Sequence, residues 1–204
     1  MLRGLTCAVF LLVLPIGLEG QARLPSPRGE AHTQVGGGYN ADGQYVGGWW
    51  LVVDYGRPIL RGRENMFGSG NTYGDAFLLR APIWRLGANM STRFYVGTNL
   101  MFGDQLLPTG EYSVFADLAE DEWTLIFSTW GVKQTTPEVN PNALWGSFGY
   151  TDERDVLRTT MSVETIDRAA DQLIITFTNM TQQGGDFTVW WDDQLATVPF
   201  TVAR

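Results

Sequence analysis

The chain reads as an all-β protein: a single antiparallel β-sandwich, jelly-roll-like, with long loops and at most short helical turns. Three observations predict this. From Trp49 onward, segments of about five to eight residues rich in β-branched and aromatic side chains alternate with turn signals, the pattern of antiparallel sandwiches and barrels. No segment carries the long i, i+3, i+4 apolar recurrence of a major helix. No repeat unit of fixed period organises the residues.

Taken in order, the chain begins with Arg3 and the apolar run Leu5 to Ile16. About twelve residues are too few to span a bilayer as a helix, so residues 1–22 read as a secretory signal. Cleavage is expected after Ala22, with Gly20 as second choice. The product is expected to be exported, periplasmic or extracellular, with no membrane span once the signal is removed. Cys7, the only cysteine, precedes the apolar core, so lipid attachment is not expected, and cleavage leaves no thiol for disulfides, nucleophiles or Cys-based metal sites. Residues 23–44, rich in Pro, Gly and polar side chains, read as a flexible leader. Within it Asn40-Ala41-Asp42-Gly43 spells a turn, because the later carboxylates of a calcium loop do not follow. Residues 45–204 then make one β-sandwich domain.

In that domain Trp49, Leu51, Val53 and Tyr55 alternate to one face, and Trp50, Val52 and Asp54 to the other. Phe94 and Val96 start the next inward row. Gly110 to Leu118 and Glu122 to Thr129 flank an acidic turn and form a hairpin whose inward row is Trp123, Leu125 and Phe127. Further strands are expected at Val156 to Glu164, Gln172 to Thr178, Phe187 to Asp192 and Thr197 to Val202. Pro199 cannot donate a ladder hydrogen bond, which puts the last strand at an edge or beside a bulge. Single helical turns are expected at Asp75 to Leu79, with Asp75 as N-cap, and at Thr165 to Ala170. Long loops cover 62–82 and 129–151.

The formal charge of −8 repels phosphate backbones, so no nucleic-acid partner is expected. The charge is uneven. From Arg57 to Arg93 six arginines face only Glu64 and Asp75, a local excess of +4. This reads first as arginines pairing with acidic neighbours across the fold, and second as an anion site.

Several blocks recur in one order: Y-G-R-P-x-x-R-G-R (Tyr55 to Arg63), W-R-x-G-A-N (Trp84 to Asn89), L-P-x-G-x-Y-S-x-F (Leu107 to Phe115), E-W-T-L-I-F (Glu122 to Phe127) and D-V-L-R (Asp155 to Arg158). Over about Trp49 to Val202 the chain resembles the exported bacterial family catalogued as domain of unknown function 2911. The resemblance implies export and a single domain, and brings no activity with it. Between Arg63 and Trp84 this chain carries extra residues relative to that pattern, including Gly68-Ser69-Gly70.

The chemistry open to the chain is narrow. His32, the only histidine, lies in the expected leader, which excludes a Ser-His-Asp triad and a multi-histidine metal site. Gly68-Ser69-Gly70 lacks the strand-turn-helix setting of a nucleophile elbow. No metal or nucleotide motif is present, no cofactor is expected, and no catalytic residue is assigned. The candidate ligand-binding residues are Arg57, Arg61, Trp84, Arg85, Asn89, Glu111 and Tyr112. Their guanidinium forks suit a carboxylate or phosphate and their rings can stack; equally they suit an Arg-Glu-Tyr clamp that locks loops to the sheet. In Trp49-Trp50 and Trp190-Trp191 one ring of each pair must face outward, with Trp50 and Trp190 assigned there, to stack on a sugar or to meet a covering loop. The expected function is non-catalytic binding of a small molecule, glycan or envelope protein. Behind it stand a carboxylate and arginine hydrolase acting on a substrate such as a glycan, using Glu111 with Asp54 or Asp117, and a purely structural accessory domain.

Overall fold

The computed structural model describes residues 26–203. The expected signal over 1–22 and the first leader residues lie outside the described residues. No described helix is long and apolar enough to cross a membrane.

The first strand, β1 (Arg28–Val35), corrects the expectation of a flexible leader over 23–44. It pairs antiparallel along its whole length with β4 (Trp49–Gly56), from Arg28 opposite Gly56 to Val35 opposite Trp49. The signal in its sequence is weak because its inward face is small: Gly29 is buried under the ring of Tyr55, where a larger side chain would collide. Between them β2 (Gly38–Tyr39) and β3 (Tyr45–Val46) form a separate hairpin. Its loop is tied by Asn40, whose Oδ1 accepts from the Asp42 and Gln44 amides.

The ladder continues antiparallel through β5 (Thr92–Val96), β8 (Gly110–Leu118) and β9 (Glu122–Ser128). The short hairpin β6 (Leu100–Phe102) and β7 (Gln105–Leu107) lies at the far end of the same sheet. The four strands expected after residue 155 are two long ones, β12 (Asp155–Thr178) and β13 (Gly184–Val202). The start of β12 pairs with β9 and its end pairs with β13, so the strand passes from one layer to the other. Ser162 stands opposite both Glu122 and Thr197, and beyond it the β13 pairing runs through register shifts between Thr165 and Ala170 and between Ala170 and Ile174, with Asp192 at φ 53 opposite Ala170. Residues 165–170 are therefore strand and not the expected helical turn. Among the described residues the result is one nine-stranded antiparallel sheet, in the order β1-β4-β5-β8-β9-β12-β13-β6-β7, that folds into a sandwich-like body. Pro199 falls between the stretch of β13 paired with β12, which ends at Thr197, and the stretch paired with β6, which starts at Thr201.

The predicted inward rows fill the core: Leu51 and Val53, Phe94 and Val96, Leu125 and Phe127 are all buried, and so are Leu173 and Ile175 of β12 and Phe187 and Val189 of β13. Rings meet across the layers, Phe94 with Phe187 at 5.5 Å and Phe102 with Phe127 at 5.0 Å. Trp49 departs from its row and is exposed at the start of β4, while its neighbour Trp50 points outward as expected. The opposite face of β8 and β9 is covered as well, where Phe115 and Ile126 pack with Ile83 and Leu144. The cover is the 129–151 segment, which holds the parallel pair β10 (Gly131–Val132) and β11 (Ala143–Leu144).

The segment 64–82 closes one end. Its helical turn α1 (Asp75–Leu78) starts from Gly74 at φ 80, so Asp75 lies inside the first turn and is not the N-cap. Phe67 stacks on Trp123 at 5.3 Å, and Phe77 lies 5.2 Å from both Trp84 and Trp191. What reads in sequence as a long loop is thus an aromatic plug.

Candidate functional site

Trp84 is held first by backbone. Its amide and carbonyl both pair with Ala116 of β8 at 2.9 Å, which extends the line of β5 past the end of that strand. The chain then doubles back through Leu86 at φ 49 and Asn89 at φ 64, as the W-R-x-G-A-N block suggests. Thr92 Oγ1 donates to the Leu86 carbonyl at 2.8 Å, and the Ala88 amide donates to the Gly56 carbonyl at 3.1 Å. Two serines stitch the 129–151 segment to this turn: Ser147 Oγ donates to the Ile83 carbonyl and Ser91 Oγ to the Gly146 carbonyl. These ties bring Phe148 beside Arg85 and Trp145 to the same cavity.

Arg85 is only 5% exposed. Its Nη1 donates to the Asn89 carbonyl at 2.7 Å, and its Cζ lies 5.1 Å from the centre of the Phe148 ring. Nη2 is buried and has no acceptor among the described residues. Burial pulls the guanidinium below the ordinary arginine value, and it stays charged at neutral pH because that value is so high. A buried cation with an unused donor is costly unless something else meets it.

That donor belongs to a residue lining a cavity of about 410 Å³. Phe77, Trp84 and Trp191 form its buried part, Phe148 stands beside the arginine, Trp145 adds a further ring, and Ser26, Arg63 and Asn89 complete the polar lining. Trp191 Nε1 is also buried without an acceptor among the described residues. The indole of Trp84 is already used, donating to the Gly87 carbonyl at 3.2 Å. Two residues with a buried, unused donor and several ring-bearing residues therefore line one space, which suits an acceptor-bearing group attached to an apolar or flat body.

The seven residues singled out from sequence divide. Trp84, Arg85 and Asn89 line the cavity together. Arg57 is beside it in sequence but turns to the other layer, where Nε donates to the Leu173 carbonyl at 3.1 Å. Arg61, exposed at φ 53, is not part of the lining. Glu111 and Tyr112 lie at a separate recess of about 210 Å³ with Arg93 and Trp130. Glu111 is ion-paired with Arg93, and Asp54, opposite Arg93 in the register, is ion-paired with Arg28, so these acids form a surface charge ladder. Tyr112 donates its hydroxyl to the Pro108 carbonyl at 2.7 Å, and burial raises its phenol above the ordinary value. Asn89 Nδ2 donates to the Ser26 carbonyl at 3.1 Å, so the loop and the chain entering β1 are held together.

Arg63, Phe77, Trp145, Phe148 and Trp191 line the cavity without being among the seven residues singled out from sequence. The doublet Trp190-Trp191 holds the available signal, since its inward member must bury an indole N–H. What that N–H faces depends on segments far away in sequence. No curated protein and no solved structure matches the chain. A family model described as "Protein of unknown function (DUF2911)" matches residues 40–200, and the chain belongs to that family.

Proposed function

We propose that the protein is an exported, non-catalytic binding domain whose cavity beside Arg85 takes a small organic anion, a carboxylate carried on an aromatic or apolar body. One observation carries this reading: Arg85 Nη2 and Trp191 Nε1, both buried and both without a described acceptor, belong to residues lining the same cavity. A carboxylate has two oxygens and accepts from both a guanidinium and an indole. The faces of Trp84, Phe77 and Phe148 give its body an apolar berth. Among the described residues the lining has no carboxylate, imidazole or thiol to act as base or nucleophile, which favours retention over turnover. The acids of the hydrolase alternative, Glu111 and Asp54, are engaged in ion pairs away from this cavity. Export is supported by Arg3 and the apolar run Leu5 to Ile16.

The test is a thermal-shift titration with benzoate and phenylacetate against neutral benzamide. At a hundredfold excess over Kd the carboxylate should add about 2.7 kcal/mol, or roughly 5–10 °C of Tm for a chain of this size. Arg85→Met and Trp191→Phe should each remove most of that shift. Equal shifts with benzamide, or none with any of the three, sink the reading.

A further inference from the structure

A second cleft lies on the outer side of β4 and shares no lining residue with the Arg85 cavity. It has a volume of about 560 Å³ and is bordered by Tyr39, Tyr45 and Trp50, with Gln34 and Gln182 beside them. We infer that this cleft binds a neutral saccharide, one pyranose ring stacked on an aromatic face with its hydroxyls held by the two glutamine carboxamides.

The rings are displayed by built structure and are not loose surface residues. Alternation along β4 turns Trp50 away from buried Leu51 and Val53 and leaves it 51% exposed. Tyr39 and Tyr45 face each other across the β2–β3 hairpin, and Tyr39 is 70% exposed. Their planes meet at 75° with centres 5.4 Å apart, so they form a corner with one ring as floor and the other as wall. Tyr45 is fixed by its hydroxyl, which accepts from the Gly37 amide at 3.0 Å. The Gly36 amide donates to the Gln182 carbonyl at 2.6 Å, which holds the turn bearing Gln182 at the edge of the cleft.

The chemistry of the lining selects the occupant. Among the described residues no charged side chain lines the cleft, in a protein whose net charge is −8. An ionic ligand finds no partner there. Neither the Gln34 nor the Gln182 carboxamide hydrogen-bonds to another described residue, so each has donors and an acceptor to offer. A sugar hydroxyl needs that combination, because it donates and accepts at once. The C–H face of a pyranose is apolar and flat enough to lie on an aromatic ring, while its equatorial hydroxyls project sideways toward the amides. A proline-rich peptide is the main competitor for aromatic clefts, and it docks on parallel ridges of rings. A corner at 75° suits a single ring-shaped unit better.

The experiment uses the whole chain and three soluble probes: the linear β-1,4 hexaoses of glucose, N-acetylglucosamine and mannose. Binding is read by calorimetric titration at millimolar sugar. At least one hexaose should bind saturably, with affinity about tenfold or more weaker in Trp50→Ala and in Tyr39→Ala, as expected for loss of an aromatic contact. Both side chains are mostly exposed, so these variants should melt like the parent, which the same samples check. Arg85→Met should bind the sugar unchanged, which separates this site from the anion cavity. The inference is overturned if no hexaose binds, if binding survives both ring substitutions, or if a polyproline peptide saturates the cleft and the sugars do not.

Discussion

Arg85 and Gly146 pack so closely that only a glycine leaves room: a Cβ built at Gly146 would sit 2.7 Å from Arg85 Nε and nearer still to its Cζ. Gly146 also has φ 63, in the left-handed region. Gly146→Ala therefore meets two penalties, about 1 kcal/mol for the backbone and about 1–3 kcal/mol for overpacking against a pinned side chain. The expected loss is on the order of 5–10 °C in Tm. The carboxylate-induced shift should fall too, because the guanidinium must move. A variant that melts like the parent would mean that Arg85 is not held in this position.

Arg85→Met probes whether the cation is there for stability. The guanidinium has one described acceptor, the Asn89 carbonyl, and one buried donor without any. Replacing such a group by an apolar side chain of similar length is expected to be nearly neutral or stabilising. Tm should stay within about 3 °C of the parent, a change of about 1 kcal/mol. Arg85→Ala, which leaves a hole, should lower it by more. A fall of about 10 °C in Arg85→Met would favour the structural clamp over the ligand site.

Phe67 is the centre of the plug that closes one end of the sandwich. It is 3% exposed and lies within ring-contact distance of Tyr73, Phe77, Trp84, Trp123 and Trp191. Phe67→Ala should cost about 3–5 kcal/mol, which for this length is roughly 8–15 °C in Tm by calorimetry. A loss below about 1 kcal/mol would show that residues 64–82 rest on the sheet without stabilising it.

The plug also shows what was legible in the sequence. Strands with a strong period of two and large inward side chains could be read directly: Trp123, Leu125 and Phe127 are buried in the predicted hairpin. β1 could not, because its inward positions Gly29, Ala31 and Thr33 are small, and the need for glycine at 29 comes from the ring of Tyr55 on the neighbouring strand. Local signals likewise divide β12 and β13 into shorter strands, since the bulges that let each continue are settled by pairing partners. At the cavity, Trp84, Arg85 and Asn89 are legible as a group because one turn carries them. Trp145, Phe148 and Trp191 are not, because serine-to-carbonyl ties and core packing assemble them from distant segments. Glu111 belongs with the cavity arginines by chemical type only: the register sets it opposite Tyr95, and its ion pair runs diagonally to Arg93.

Tyr150 sets the behaviour at high pH. Its hydroxyl donates to Asp155 Oδ2 at 2.6 Å, and Arg158 Nη1 donates to the same oxygen at 2.8 Å. Burial first, and then the bond to the Asp155 carboxylate, push the phenol well above its ordinary value of 10.0. A raised folded pKa means that the stabilisation is complete below the unfolded value and is lost as pH climbs through the folded one. Tyr150→Phe removes a hydrogen bond to a charged acceptor and should cost about 1–2 kcal/mol at pH 7. Above pH 10 the unfolded tyrosine ionises and the folded one resists, so the parent loses stability that the variant never had. The gap between their denaturation midpoints should therefore narrow from pH 9 to pH 11. Tyr73 and Tyr112, also raised, titrate in both proteins and leave this difference intact. A gap that widens with pH would mean that the Tyr150 proton is not shared with Asp155.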